Sequence, residues 1–205
     1  DLTWEIVNKM NLGVELGFLN GMIDLQLDYF DERRKDIFMP RESVPMTAGF
    51  MKQPWKNFGK VTNQGVEVTL NVNKQFGKDL FVSLMGTFTY AHNEITEKDE
   101  PSAVVGTNRA ETGHPVGQLT GYIAEGLFTE DDFEDVSTGK LKEGIPTQSF
   151  VGKLRPGDIR YRDVNGDGKV DVFDKSPIGG TKDPEIVYGF GLNMKYKNLD
   201  FGADR

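Results

Sequence analysis

The chain has 205 residues, no cysteine and a formal net charge of −8, from 24 basic and 32 acidic residues. The missing cysteines exclude disulfide bonds, thiol nucleophiles and cysteine-based zinc sites within it. The acidity argues against nucleic acid as a partner, because broad binding to a phosphate backbone needs a cationic surface. A mean hydropathy of −0.47 would by itself indicate a soluble protein. That average is misleading for membrane-spanning β-strands, because they alternate in polarity along their length.

Apolar and polar residues alternate along six segments, which is the period expected of β-strands. In the first segment Leu12, Val14 and Leu16 share one face, with Gly13 and Glu15 on the other. No helical stripe of comparable strength occurs. We predict antiparallel strands at about 3–18, 22–36, 62–75, 79–95, 185–196 and 199–205.

Short and long connections alternate between these strands. An Asn-Gly turn at Asn20 joins the first pair, and tight turns near Gly77 and Lys197 join the next two pairs. Between the pairs lie two long connections, at about 37–61 and 96–184. In an antiparallel meander this order places all tight turns at one end and all long loops at the other. Outer-membrane barrels have this asymmetry, with short periplasmic turns and long extracellular loops.

These patterns predict an all-β fold in which antiparallel strands form part of a transmembrane β-barrel with long extracellular loops. One face of each strand is rich in Glu, Asp, Asn, Thr and Gly and suits a wet interior, while the apolar face suits lipid. A soluble β-sandwich would also alternate, with its apolar face turned inward. The sandwich therefore stays open as an alternative at this point.

Residues 163–174 follow the calcium-loop pattern D-x-N-x-D-G-x-x-D-x-x-D. Calcium takes about six to eight oxygen ligands, and Gly168 stands at position 6, where the loop turns sharply. Asp174 replaces the usual bidentate Glu, which predicts a lower affinity. A plain succession of Asp, Asn and Gly turns is the alternative. We expect a structural Ca²⁺ to be held by Asp163, Asn165, Asp167, the carbonyl of Lys169, Asp171 and Asp174.

No catalytic residue is predicted, and we expect that the protein is not an enzyme. The two histidines, His92 and His114, belong to no recognisable triad or metal pair, and the acidic run 130–135 is interpreted as a solvated loop. Three aromatic residues in predicted loops are candidates for substrate binding, because sugars and other ligands pack on aromatic side chains. Packing within their own loops is the alternative for each. These candidates are Phe50, Trp55 and Tyr122.

Several motifs occur in a fixed order along the chain. Trp4-Glu5 stands at the start of the first predicted strand, and residues 57–67 read N-F-G-K-V-T-N-Q-G-V-E. Residues 113–117 read G-H-P-V-G, and residues 156–161 read P-G-D-I-R-Y just before the acidic loop. Together, from about residue 3 to residue 205, they resemble the C-terminal barrel portion of SusC/RagA-type TonB-dependent outer-membrane transporters.

The resemblance implies that the strands of this chain form part of a barrel of about 22 strands. It also implies TonB-dependent import of a nutrient across the outer membrane of a Bacteroidetes-type bacterium, most often an oligosaccharide or other glycan and sometimes a peptide. The implied partners are a SusD-like surface lipoprotein, the TonB–ExbB–ExbD system and outer-membrane lipid. The competing hypothesis is a secreted, calcium-stabilised β-sandwich that binds glycans, which requires a core between two sheets.

Overall fold

The computed structural model describes residues 2–204, apart from the side chain of Met46. Six long strands and eight short ones make up the fold, with three single-turn 3₁₀ helices at Met46–Ala48, Glu130–Asp132 and Val172–Asp174. The first four strands are β1 (Ile6–Phe18), β2 (Ile23–Pro40), β3 (Trp55–Phe76) and β4 (Leu80–Glu97). The short strands follow as β5 (Gln118–Gly121), β6 (Ala124–Leu127), β7 (Phe133–Asp135), β8 (Lys140–Leu141), β9 (Thr147–Gln148), β10 (Ile159–Tyr161), β11 (Lys169–Val170) and β12 (Ser176–Thr181). The chain closes with β13 (Ile186–Tyr196) and β14 (Leu199–Asp204).

The six long strands form one antiparallel sheet in the order β1-β2-β3-β4-β13-β14. Its register aligns side chains of like polarity across neighbouring strands. Leu12 pairs with Tyr29, Tyr29 with Val66, Val66 with Tyr90, and Tyr90 with Ile186. Such rows repeat downward to the tight turns, so one face of the sheet is continuously apolar. We call this the outer face, and the opposite, polar face the inner face.

The sheet is a single layer. Among residues 2–204, no second sheet packs on either face, and outer-face residues such as Leu12, Leu84 and Phe190 stay exposed. The buried hydrophobic residues lie instead at the loop end of β4 and in the longest loop; they are Ile95, Phe128, Phe133, Leu154 and Val170. A β-sandwich would bury its apolar face against another sheet, so this arrangement matches part of a barrel wall. The predicted all-β membrane-barrel fold is confirmed.

The strand lengths suit a membrane. β13 has 11 residues, with an apolar side chain at every second position from Ile186 to Tyr196, and a tilted transmembrane strand needs about 9–11 residues. No helix within residues 2–204 is long and apolar enough to cross a membrane.

Two strands extend further toward the loop end than the sequence pattern predicted. β2 continues to Pro40 and β3 begins at Trp55, so the first long connection spans 41–54 rather than 37–61. The pairing of β2 with β3 shifts between Arg34 and Phe38, and Asp36 has φ of 58°. A bulge of this kind inserts an extra residue and interrupts the period of two. The second long connection spans 98–185.

Candidate functional site

The long connection 98–185 is a folded module rather than a flexible loop. Four two-stranded sheets order it, formed by β5 with β12, β6 with β10, β7 with β8, and β9 with β11. Its core consists of Phe128, Phe133 and Leu154, with Leu141, Ile145 and Val151 packed against them. The rings of Phe128 and Phe133 lie 5.8 Å apart. We call residues 98–185 the outer module.

A buried carboxylate joins the connection 41–54 to the base of the outer module. Asp99 accepts hydrogen bonds from the backbone N–H of Ser43 at 3.1 Å and from its hydroxyl at 2.8 Å. Arg41 Nε lies 3.0 Å from Asp99 Oδ2, but this nitrogen has no hydrogen-bond partner, so the contact is ionic. Burial raises the pKa of Asp99, and the Arg41 and Ser43 contacts outweigh it, so the pKa falls below its usual range. The carboxylate therefore remains charged and holds the two connections together.

The neighbouring carboxylate of Glu100 holds the next turn of the module in the same way. It accepts the backbone N–H of Glu111 at 2.5 Å and the hydroxyl of Thr112 at 2.7 Å. Burial raises the pKa of Glu100, but these hydrogen bonds outweigh that effect and lower it overall. Further along, Asn93 Oδ1 on β4 accepts the backbone N–H of Val116 at 2.7 Å. Ile95 on β4 also donates its backbone N–H to His114 and accepts that of Gly113, so the outer module has several fixed attachments to the sheet.

Three aromatic rings meet within the outer module. Tyr122 stacks on Phe150 with ring centroids 4.5 Å apart, and Tyr161 lies 5.5 Å from Tyr122 and 5.8 Å from Phe150. The ammonium of Lys175 lies 5.6 Å from the Tyr122 ring centroid. Burial, followed by the charges of Asp171 and Asp174, raises the pKa of Tyr122. Phe150 is 46% exposed, so the cluster presents an aromatic surface to solvent. We call Tyr122, Phe150 and Tyr161 the aromatic cluster.

The three aromatic residues singled out from sequence lie in different settings. Tyr122 belongs to the aromatic cluster. Trp55 is the first residue of β3, not a loop residue, and its ring lies 5.1 Å from that of Phe38. Phe50 lies exposed in the connection 41–54. Sequence reasoning missed Phe150 and Tyr161, because neither stands in a periodic segment that would indicate a shared location.

The predicted calcium loop is closed by the chain's own hydrogen bonds. Asp163 accepts the backbone N–H groups of Gly166 and Gly168 at 2.7 and 2.8 Å. Asp174 is fully buried, and its carboxylate accepts the N–H groups of Val164, Asn165 and Asp171. Asn165 and Asp167 accept the N–H groups two residues further on, and Asp171 accepts that of Phe173. The backbone of Lys169 pairs in β11.

The side-chain oxygen atoms of this loop are of the type that calcium binds, but they are not gathered around one point. Within residues 2–204, no three acidic, histidine or cysteine side chains form a group that could hold a metal ion. Gly168 has φ of 83°, the kind of backbone conformation that position 6 demands. Binding would therefore require the acidic side chains of the loop to move toward a common centre. Calcium in this loop stays a prediction.

Comparison with known proteins identifies the family. Residues 1–197 match the profile of the family described as TonB-dependent receptor-like β-barrel. The chain belongs to this family.

The relatives of this TonB-dependent receptor barrel are similar over nearly the whole chain. It is 29% identical to TonB-dependent receptor SusC of Bacteroides thetaiotaomicron, over 98% of this chain and 19% of the relative. It is 24% identical to TonB-dependent receptor P3 of Formosa agariphila, over 98% of this chain and 20% of the relative. The chain thus spans about a fifth of the length of the relatives it matches.

Solved structures agree with the barrel fold. The RagAB peptide importer in its closed-closed state matches all of this chain and 21% of its own, with a TM-score of 0.67 at 22% identity. The open-open state matches with the same TM-score at 23% identity. The resemblance to SusC/RagA-type transporters that the sequence motifs indicated is confirmed.

Proposed function

We propose that this chain forms part of the barrel wall of a TonB-dependent transporter that imports a nutrient across the outer membrane of a Bacteroidetes-type bacterium. The single-layer sheet carries this proposal, because its outer face is apolar and exposed over the length that a bilayer requires. The inner face is polar, and grooves of about 420 and 460 Å³ on it are lined by residues such as Glu15, Gln26 and Asn71. Such a wall suits a wet transport path.

The proposed cargo is an oligosaccharide or other glycan. Exposed aromatic rings with nearby hydrogen-bonding groups fit this class, because sugar rings pack on aromatic faces and bond through their hydroxyl groups. The aromatic cluster, with Phe150 open to solvent, is the proposed contact. A peptide is the second candidate, favoured by the likeness of the fold to an importer described as a peptide importer. Phe50 and Trp55 are proposed as weaker contributors, since they lie apart from the cluster.

The proposed partners follow from the family. A SusD-like surface lipoprotein would cover the end of the barrel that carries the outer module and the connection 41–54. The TonB–ExbB–ExbD system would supply energy from the opposite side, where the turns are short. Transport of this kind moves the cargo without forming or breaking covalent bonds, so it needs no catalytic residue.

Binding of a glycan panel to the full-length transporter in detergent tests the cargo. Phe150→Ala is expected to weaken binding of the preferred glycan about three- to tenfold, the loss typical of one aromatic contact. Phe173→Ala is a matched control, because Phe173 is equally exposed in the same module but contacts Arg109 instead. Isothermal titration calorimetry measures both.

Equal binding by the two variants would contradict the role of the aromatic cluster. If the protein binds peptides and none of the glycans, a peptide becomes the proposed cargo. Failure of the full-length protein to enter outer membranes would contradict the transporter itself.

A further inference from the structure

The outer face of the sheet changes from apolar to polar at one register. On β2, β3 and β4 the last apolar row consists of Tyr29, Val66 and Tyr90, which pair across the strands. The next outer-face row toward the loop end consists of Asp31, Gln64 and His92, also paired in register. The row beyond it contains Arg33, Thr62 and Glu94. The outer faces of these three strands thus change from apolar to polar at the same register position of the sheet.

The polar rows form a connected surface. Gln64 Nε2 donates to Asp31 Oδ2 at 3.0 Å, and Arg33 Nε lies 3.0 Å from Asp31 Oδ1. His92 Nδ1 lies 2.6 Å from Glu185 Oε1, which extends the surface beside β13. We call Asp31, Arg33, Gln64, His92, Glu94 and Glu185 the polar collar.

A groove of about 290 Å³ lies where the collar meets the apolar face. Tyr29 and Tyr90 line its lower edge, and Gln64, His92 and Glu94 line its upper edge. Both tyrosine rings are more than one third exposed. The groove therefore presents two aromatic surfaces below, and amide, imidazole and carboxylate groups above.

We propose that the polar collar and this groove bind the sugar headgroup of a glycolipid in the outer leaflet of the outer membrane. The inference rests on the proposed function, because it needs the outer face to contact lipid. The collar is continuous with that face, and the long connections at the same end place it on the extracellular side.

The composition of the collar favours a sugar over a phosphate. Arg33 is its one permanently cationic side chain, against the carboxylates of Asp31, Glu94 and Glu185. A phosphate would be repelled by these carboxylates and would need more donors of positive charge. Sugar hydroxyl and amino groups can donate hydrogen bonds to carboxylates and accept them from the amide of Gln64. Tyrosine at the membrane interface provides an apolar ring with a polar tip for such a contact.

The test uses the full-length transporter in nanodiscs that contain phosphatidylethanolamine with lipopolysaccharide from the producing bacterium. Native mass spectrometry counts the glycolipid retained. The double variant Gln64→Ala/His92→Ala is expected to lower retention about tenfold or more, the loss expected for two hydrogen bonds. The lumen-side double variant Asn71→Ala/Ser83→Ala lies on the same two strands, on the inner face, and is expected to retain wild-type levels.

A dephosphorylated lipopolysaccharide forms the second arm of the experiment. Unchanged retention of this glycolipid supports a sugar contact, and loss of retention would overturn it in favour of a phosphate. Equal retention by the collar and lumen-side variants would also overturn the proposal. Heat-modifiable migration on gels establishes that each variant is folded before it is compared. Nutrient uptake is expected to be unchanged in the collar variant, so failure of this inference leaves the transporter assignment standing.

Discussion

Asp99 at the base of the outer module and Arg41 at the end of β2 form an ion pair at 3.0 Å, with Asp99 almost completely buried. The two residues are far apart in sequence, yet the pair fixes the connection 41–54 against the outer module. Arg41 also lies over the ring of Phe58 on β3, 5.4 Å from its centroid. The connection 41–54 and the outer module therefore have one shared attachment, and a change at either residue affects both.

Asp99→Ala is expected to release the connection 41–54. It leaves Arg41 without its ionic partner and Ser43 without its acceptor, which costs about 2–3 kcal/mol of local stability when one side of the pair stays partly exposed. Hydrogen exchange of residues 41–54 in the full-length transporter is expected to accelerate. Asp200→Ala is the control, because Asp200 lies exposed at the short-turn end, 3.8 Å from Lys195. Unchanged exchange in the Asp99 variant would contradict the shared attachment.

As the pH falls, the outer module is expected to lose stability before the sheet does. The Arg41 contact and the hydrogen bonds from Ser43 keep the pKa of Asp99 low despite burial, and hydrogen bonds do the same for Glu100. The hydroxyls of Ser137 and Thr138 hold the pKa of Asp135 at about 2. Each of these carboxyl groups binds fewer protons in the folded state than in the unfolded state. Its contribution to the stability of the module is therefore complete above the pKa of the unfolded state, near 4. It is lost as the pH falls through the lowered folded pKa values. Pepsin cleavage within the outer module is therefore expected to rise from pH 4 to pH 2.

The pepsin experiment needs an internal reference, since the protease itself changes activity with pH. Cleavage of denatured casein in the same tubes provides it. The pH dependence should be weaker in Asp99→Asn/Glu100→Gln, because the amides no longer titrate. An identical profile in that variant would show that other groups control the module.

Gly65→Ala is expected to disturb the sheet at one point. A Cβ at this position would lie 2.3 Å from the Phe30 ring and 2.3 Å from the carbonyl oxygen of Tyr90, so the ring that covers the glycine must move. Overpacking of this kind costs about 1–3 kcal/mol. Gly86→Ala on the neighbouring strand is the matched control, because nothing lies within 4 Å of its Cβ. Urea unfolding in detergent measures both, and equal midpoints would contradict the packing of Phe30 on Gly65.

Calcium is expected to bind the loop 163–174 weakly, with a dissociation constant of about 10⁻⁴–10⁻³ M, as in extracellular modules. The short side chain of Asp174 and the backbone N–H groups that already engage Asp163 and Asp167 both reduce affinity. Titration of the chelated protein is expected to show binding that Asp167→Ala weakens. Asp135→Ala, in a separate Asp turn of the module, is expected to bind like the wild type. Absence of any calcium-dependent signal would contradict the prediction.

The sheet was predictable because its residues obey a period of two wherever one face contacts lipid. Leu12, Tyr29, Val66 and Tyr90 stand in phase in the sequence and in one row in the structure. Beyond that row β2 continues through six charged residues in succession, 31–36, so alternation of hydrophobicity no longer marks the strand there. The bulge near Asp36 adds a residue there, which explains why the ends of β2 and β3 were misplaced.

The outer module was far less predictable, because its contacts join residues with no common period. Phe133 belongs to the core but lies within an acidic run, which indicated only a solvated loop. Phe150 approaches Tyr122 through the folding of the whole module, and no local pattern indicates their stacking. The Asp-rich motif could be located from sequence, whereas the engagement of Asp174 by three backbone N–H groups could not.

The outer module leaves the sheet after Glu97 and returns at Ile186, which pairs with Tyr90 on the strand of departure. To the barrel it is therefore one long insertion between two neighbouring strands, with a core of its own. Substitution of this segment as a whole would change the surface at the loop end of the sheet without changing a single row of the outer face. The surface at the loop end and the strands of the sheet can thus vary independently of each other, although one chain carries both.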